Sequence, residues 1–168
     1  MKKIVLDTFG ADKGVGVMVK GAVDSLALRK DTMVVLVGNA DEIENELSAY
    51  KYDRSRIEIV DAKDGITNEE SPTEAIRSKS DSSLVKALEI TKEDPLAAGM
   101  VSAGSTGAVL TGAILIVGRI RGVRRPALCP LLPTKTGGKV CLIDCGANMD
   151  CSPEWLVQFA LMANDYMK

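Results

Sequence analysis

A chain of 168 residues, 46% hydrophobic and with a net charge of −2, has room for one domain with a core of its own. Those figures exclude a disordered chain and argue against one built mainly to hold nucleic acid. Aromatic residues make up only 4%, so the core has to rest on aliphatic side chains.

The residue types that are missing narrow the chemistry. There is no histidine, which removes Ser-His and Cys-His catalysis, His-ligated zinc and the commonest general base together. Cys129, Cys141, Cys145 and Cys151 lack the paired C-x-x-C spacing of a zinc site and read as buried thiols. No metal and no cofactor is expected. Met1-Lys2-Lys3 leads into a strand instead of the apolar stretch of a signal peptide. The longest apolar run, 108–117, falls short of the ~20 residues that span a bilayer. The chain reads as cytosolic.

In chain order, residues 3–7 predict a strand ending on a carboxylate, then a glycine-containing loop over 8–16 and an amphipathic helix over 17–29. Gly14-x-Gly16 does not complete a dinucleotide fingerprint. Val19 stands where the third glycine would fall, and Gly38-Asn39 follows the next strand, 33–37, where a ribose-binding acid would be. A helix over 41–49, a strand over 57–60 and a polar loop over 61–70 come next. Ser71-Pro72-Thr73-Glu74 predicts a helix start, with Ser71 as N-cap, Pro72 at N1 and Glu74 closing a capping box. That short helix runs into a polar stretch, 77–83, where Lys79 sits with Ser82 and Ser83 and Asp81 offers a cap. Leu84, Val85, Leu88 and Ile90 then mark one more core helix.

The stretch 100–109 organises the rest. Ala97, Ala98, Met100 and Val101 predict a buried strand end, and 108–117 an almost wholly apolar helix, with only Ser102-Ala103-Gly104-Ser105-Thr106-Gly107 between them. Glycines admit a close backbone approach, and a first helical turn offers unpaired N–H groups and the positive end of the dipole. This is an anion site in outline, or else a tight turn on a packed core. Arg119, Arg121, Arg124 and Arg125 follow, complementing the helix dipole or forming a positive patch for an acidic partner. Strands over 127–132 and 139–143 lead to Asp144-Cys145-Gly146-Ala147-Asn148, and Ser152-Pro153-Glu154 opens a last helix. The alternation predicts an α/β fold with a mostly parallel sheet in a single domain, 1–168. It also gathers Asp7, the 102–106 turn and the 144–148 turn at the carboxyl ends of the strands, where such sheets bind ligands.

Six motifs now stand in a recognisable order. They are Ile4-Val5-Leu6-Asp7 with Gly10 and Asp12; Lys79-x-Asp81-Ser82-Ser83; Ser102-Ala103-Gly104-x-Thr106-Gly107-Ala108; Gly118-Arg119-Ile120 with Arg125-Pro126; Leu132-Pro133-Thr134; and Asp144-x-Gly146-Ala147-Asn148-x-Asp150-Cys151. Over essentially its whole length the sequence closely resembles the PlsX family of bacterial phosphate:acyl-(acyl carrier protein) acyltransferases. The resemblance implies a three-layer α/β/α sandwich akin to isocitrate and isopropylmalate dehydrogenases, of which this chain would form the N-terminal half. It implies a homodimeric enzyme with acyl carrier protein and inorganic phosphate as partners, and at most peripheral contact with a membrane. The implied reaction moves a long-chain acyl group from the carrier to phosphate, giving acyl phosphate for phospholipid synthesis. Three departures stand out: Ala11 in place of a family glycine, Ser80 in place of a lysine and Ser105 in place of an asparagine. Together with a length about half that of family members, they leave two other readings open. One is an inactive anion-binding half-enzyme, which could pair with itself to cover its sheet edge. The other is a phosphotransacetylase-like enzyme acting on short acyl groups.

The implied chemistry can be checked against the residues. Phosphate, with a second pKa near ~6, attacks a thioester without a protein nucleophile, so the missing histidine is no obstacle. The protein has to hold a desolvated dianion against the carbonyl and stabilise the developing oxyanion. A helix N-terminus, at about 0.3–2 kcal/mol, does not offset that desolvation alone. The expectation is therefore a phosphate cradle of Gly104, Ser105 and Thr106 with Lys79, Ser82 and Ser83, in which Lys79 and Asn148 are catalytic. Asn148 would donate to the thioester oxygen or to phosphate. Asp7, Gly10, Asp12 and Asp144 would border the site, the carboxylates orienting Lys79 and loop amides or holding a cation. Arg119, Arg121, Arg124 and Arg125 would dock the acidic carrier.

Overall fold

The computed structural model describes all 168 residues, which divide into two compact units, Met1–Val117 and Gly118–Lys168. In the first, β1 (Lys2–Asp7), β2 (Thr32–Gly38), β3 (Ile57–Asp61) and β4 (Ala97–Ser102) form a parallel sheet in the order β3-β2-β1-β4. The central strands are aliphatic runs because both their faces are covered. Leu6, Val34 and Leu36 face α1 (Val15–Leu28) and α2 (Ala40–Leu47), meeting Val19, Ala22, Leu26, Ile43 and Leu47. Val5, Val35 and Val37 face the opposite layer, which includes Ala87 of α4 (Ser83–Glu93). Beside α4 lie α3 (Pro72–Ser78) and α5 (Thr106–Gly112), joined through Ala75, Ile76, Leu84, Val85, Leu88 and Ala108. The result is the expected helix–sheet–helix layering, with β1 in the interior and its carboxyl end flanked by the loops after β2 and β4.

Several local expectations are corrected. The strand ending at Ser102 is an edge, not a buried strand. Only β1 pairs with it, and Val101 is 50% exposed. The capping box at Ser71 does not form: Ser71 caps α3 by position, without a side-chain bond. It is Glu70 that folds back, accepting from the Thr67 N–H at 2.8 Å. Asp81 does not cap α4 either. Ser82 does, its Oγ accepting from Val85 N–H at 3.4 Å, while Asp81 pairs with Lys86. The apolar helix breaks into α5 and a π-helical turn, Ala113–Val117, on which Leu115 and Val117 are exposed. The break follows Gly112, whose backbone lies so near Leu88 that a Cβ there would stand 2.3 Å from Leu88 Cδ1.

The second unit departs from the alternating pattern. Its strands, β5 (Leu131–Pro133) and β6 (Lys139–Cys141), are shorter than the sequence predicts and pair antiparallel. The connection between them is too short for a parallel crossover, so a hairpin is the outcome. Thr134 and Gly138 close it, with the Thr134 N–H donating to Gly138 O at 2.9 Å. After it comes α6 (Pro153–Met167). No helix in either unit is long and apolar enough to cross a membrane.

Arg56, on a single 3-10 turn ahead of β3, ties the first unit together at its amino edge. Its guanidinium donates to Leu26 O at 3.0 Å, to Thr32 O at 2.7 and 3.0 Å, and to Arg29 O. One cation thus satisfies the last carbonyls of α1 and the first of β2. Arg56→Ala is expected to lower stability by about 1.5–3 kcal/mol, the range for charged hydrogen bonds, read as a lower urea midpoint with an unchanged slope.

Candidate functional site

At the carboxyl end of β1 the Asp7 carboxylate is only 2% exposed. A charge there needs donors on every side, and the fold provides them from three segments. Oδ1 accepts from Ser83 Oγ at 2.6 Å and from the Phe9 N–H at 3.2 Å, and Oδ2 accepts from Ser102 Oγ at 2.7 Å. Ser102 Oγ in turn accepts from the Gly104 N–H at 3.1 Å. Asp7 thus joins the N-terminus of α4 to the turn after β4. Burial pushes its carboxyl above the usual carboxylate range, and the Ser83, Ser102 and Phe9 donors hold that rise in check.

The turn after β1 lies directly against the turn after β4. Gly10 has φ +87°, and a Cβ on it would stand 2.6 Å from Gly104 Cα, so both backbone geometry and space require glycine there. Next to this contact is a cavity of about 440 Å³ whose lining includes Gly10, Asp12, Gly104 and Ser105, together with Phe9, Glu42 and the 66–69 segment. Four of the residues anticipated from the sequence therefore share one concavity. Ser105 caps α5, its Oγ accepting from Ala108 N–H at 3.4 Å, and Thr106 opens the helix with its side chain exposed. The Gly104 amide, expected to point at an anion, is taken by Ser102. Of the first-turn amides of α5, Ala108 N–H is taken by Ser105, and those of Thr106 and Gly107 remain as the donors that helix geometry leaves free.

Lys79 does not stand as a free cation. Its ammonium lies 2.8 Å from Glu70, 3.3 Å from Asp64 and 2.9 Å from Gly65 O. The Glu70 carboxylate holds it above the usual lysine range, although partial desolvation works the other way. Two carboxylates thus outweigh the one charge meant to attract phosphate. Ser82 Oγ accepts as the α4 cap and Ser83 Oγ donates to Asp7, and neither residue lines the cavity. The sequence reading missed Asp64, Glu70 and Phe9. Glu70 carried a signal of a kind, an acid just ahead of a proline-started helix, but its partner lies across a loop and not along the helix.

Asp144 and Asn148 belong to the second unit, after a hairpin strand that is no member of the parallel sheet. Asp144 Oδ1 accepts from the Leu128 N–H at 2.8 Å, and Oδ2 accepts from the Asn148 N–H at 2.7 Å and from Asn148 Nδ2 at 3.1 Å. Burial favours the neutral acid, but these donors outweigh it and hold the carboxyl below the usual range. Asn148 Nδ2 also donates to Pro126 O at 3.0 Å, so both amide hydrogens are engaged within the loop. The arginines lie in the same unit and are exposed. Arg124 meets Glu154 at 3.2 Å, Arg125 lies 5.1 Å over the Trp155 ring, and Arg119 donates to Arg124 O. The four cysteines are free but half-exposed, not buried, because they sit on a short hairpin and its loops.

A parallel sheet with helices on both faces and a glycine-lined cavity at its carboxyl edge defines a layered α/β protein, and comparison with known structures agrees on the fold. A phosphotransacetylase from Streptococcus pyogenes superposes with a TM-score of 0.65 over 95% of this chain and 51% of its own, at 18% identity. The profile of a family described as fatty acid synthesis protein matches residues 2–168, and the chain belongs to that family, the one its motifs anticipated. Relatives named phosphate acyltransferase from Clostridium novyi and Clostridioides difficile are 46% and 44% identical over 99% of the chain. The chain spans about half the length of these relatives, 49% and 48% respectively.

The Asp7 environment sets a pH signature. An acid whose folded pKa is raised contributes stability that is complete below its unfolded value and is lost as pH rises through the folded value. Carboxyl carbon NMR is expected to show Asp7 titrating above Asp53 and Asp81, both held low by their own partners. In Ser83→Ala, which removes a donor, the Asp7 midpoint should move higher still. In Asp7→Asn the corresponding fall of stability between the ordinary carboxylate range and that midpoint should vanish.

Proposed function

We propose that this chain carries the phosphate-binding half of a phosphate acyltransferase, which moves a long-chain acyl group from acyl carrier protein to inorganic phosphate and yields acyl phosphate for phospholipid synthesis. The observation that carries the reading is the match to phosphate acyltransferases along 99% of the chain. The cavity beside Gly10 and Gly104 supports it, since backbone and small side chains there let an anion approach the first turn of α5. In this reading Gly104, Ser105 and Thr106 border the phosphate. Asp7 acts by holding the Ser83 and Ser102 segments in place, so it is a positioning residue. Asn148 is the donor to the thioester oxygen or phosphate, a role for which it must release Pro126 or Asp144. Arg119, Arg121, Arg124 and Arg125 dock the carrier, whose acidic surface complements them. The working form is a cytoplasmic homodimer with at most peripheral membrane contact.

Phosphate-dependent hydroxamate is the expected product when the purified chain is given long-chain acyl carrier protein, phosphate and hydroxylamine. Coenzyme A thioesters of short acyl groups should give far less, and the reverse preference would support the phosphotransacetylase-like reading instead. No product from a cooperatively folded chain would assign the activity to a longer form of the protein.

Lys79 provides a test that does not need turnover. Its ammonium is neutralised by Glu70 and Asp64, so phosphate has to compete with a carboxylate for it. Glu70→Gln should tighten phosphate binding by a few fold, on the scale of the ~0.2–1 kcal/mol of an exposed ion pair, and Lys79→Ala should weaken it. Phosphorus NMR titration reads both. Unchanged affinity in the two variants would remove Lys79 from the phosphate site.

A further inference from the structure

The sulfurs of Cys129 and Cys141 lie 2.8 Å apart, although the residues are separated by 12 positions in sequence. The hairpin register accounts for this. Leu131 stands opposite Cys141, so Cys129, two residues before Leu131, shares that face and lies on the diagonal from Cys141. The Leu142 N–H donates to Pro130 O at 3.2 Å, which continues the ladder past β5 and keeps the segment carrying Cys129 beside β6. Both side chains are half-exposed, so a small reagent can reach them. The other two thiols are turned elsewhere. Cys145 Sγ is directed to Leu142 O at 3.5 Å and Cys151 Sγ to Asn148 O at 3.7 Å. No role in acyl transfer uses any of the four.

We infer that Cys129 and Cys141 form a redox-sensitive dithiol, a modification site that closes to an intramolecular disulfide on meeting a small-molecule disulfide of the glutathione class. The step balances as two exchanges. The Cys141 thiolate attacks one sulfur of the oxidised reagent, breaking its S–S bond, forming a mixed disulfide and releasing one thiolate. Cys129, as thiolate, then attacks the Cys141 sulfur and expels the second. Two protein thiols are oxidised by two electrons, the reagent is reduced to two thiols, and the protein's two protons pass to solvent and the leaving thiolates. The hydrogen bond it shares with Cys141, together with burial, pushes the Cys129 thiol up to about 11, and because the two thiols titrate as a pair the roles of first and second attacker are interchangeable. Capping either thiol removes the other's neighbour and frees it for the second step. Closure pins the Cys129 segment to β6. The adjacent Leu128 N–H is the donor to Asp144 Oδ1, so the bond restrains the loop that holds Asn148.

The test uses the full chain with oxidised glutathione, followed by alkylation of the remaining thiols and fragment-ion sequencing of the peptides. The expected result is the loss of two of the four alkylatable thiols, with Cys129 joined to Cys141 and restoration by dithiothreitol. Cys129→Ser should stop at a glutathione adduct on Cys141. Four thiols remaining in the folded wild-type chain would overturn the inference, as would a bond joining Cys145 or Cys151, or two chains. Peptide sequencing of the wild type decides this even if a serine variant fails to fold.

Discussion

The buried carboxylate at the end of β1 is the interaction on which the functional edge depends. Asp7 sits where water cannot solvate it, so the fold has to bring it donors, two hydroxyls from positions 76 and 95 residues away and an amide from two residues on. This gives the ion an organising role that a hydrophobic residue could not have. An apolar side chain would fill the space but would not fix the rotamers of Ser83 and Ser102, nor, through Ser102, the Gly104 amide. The cost of the buried charge appears as its raised pKa, and the return is a loop geometry held in one arrangement.

Charge balance decides how that edge can meet an anion. Asp12, Glu42 and Glu69 line the cavity, and Lys79, bound to the backbone of Gly65 just ahead of the 66–69 wall, is already paired with Glu70 and Asp64. An anion approaching that edge would therefore meet backbone dipoles more than an unpaired positive charge.

Much of the first unit was legible in the sequence. Continuous aliphatic runs such as Met33-Val34-Val35-Leu36-Val37 can only be strands covered on both faces, and their alternation with amphipathic segments fixes a parallel sheet. Gly104 was legible as a close backbone approach and Gly10 as part of a motif bordering the site, though not as approaching each other. Side-chain pairing was not legible, because Lys79 finds Glu70 across a loop and Ser82 displaces Asp81 as the cap, choices decided by tertiary position. The second unit was read least well. Strand propensity over 127–132 and 139–143 says nothing about pairing direction, which the short connection between the two segments decided in favour of a hairpin.

The contact between Gly10 and Gly104 has an evolutionary consequence. It is backbone against backbone, so this part of the cavity wall carries no side chain that mutation could lengthen or shorten. Selection for a ligand of another size has little to act on there. It has to work through the side chains elsewhere on the wall, such as Thr67, Asn68 and Glu69, exposed on an irregular segment. One part of the pocket wall is a fixed die, and the rest is where variants of this protein can diverge.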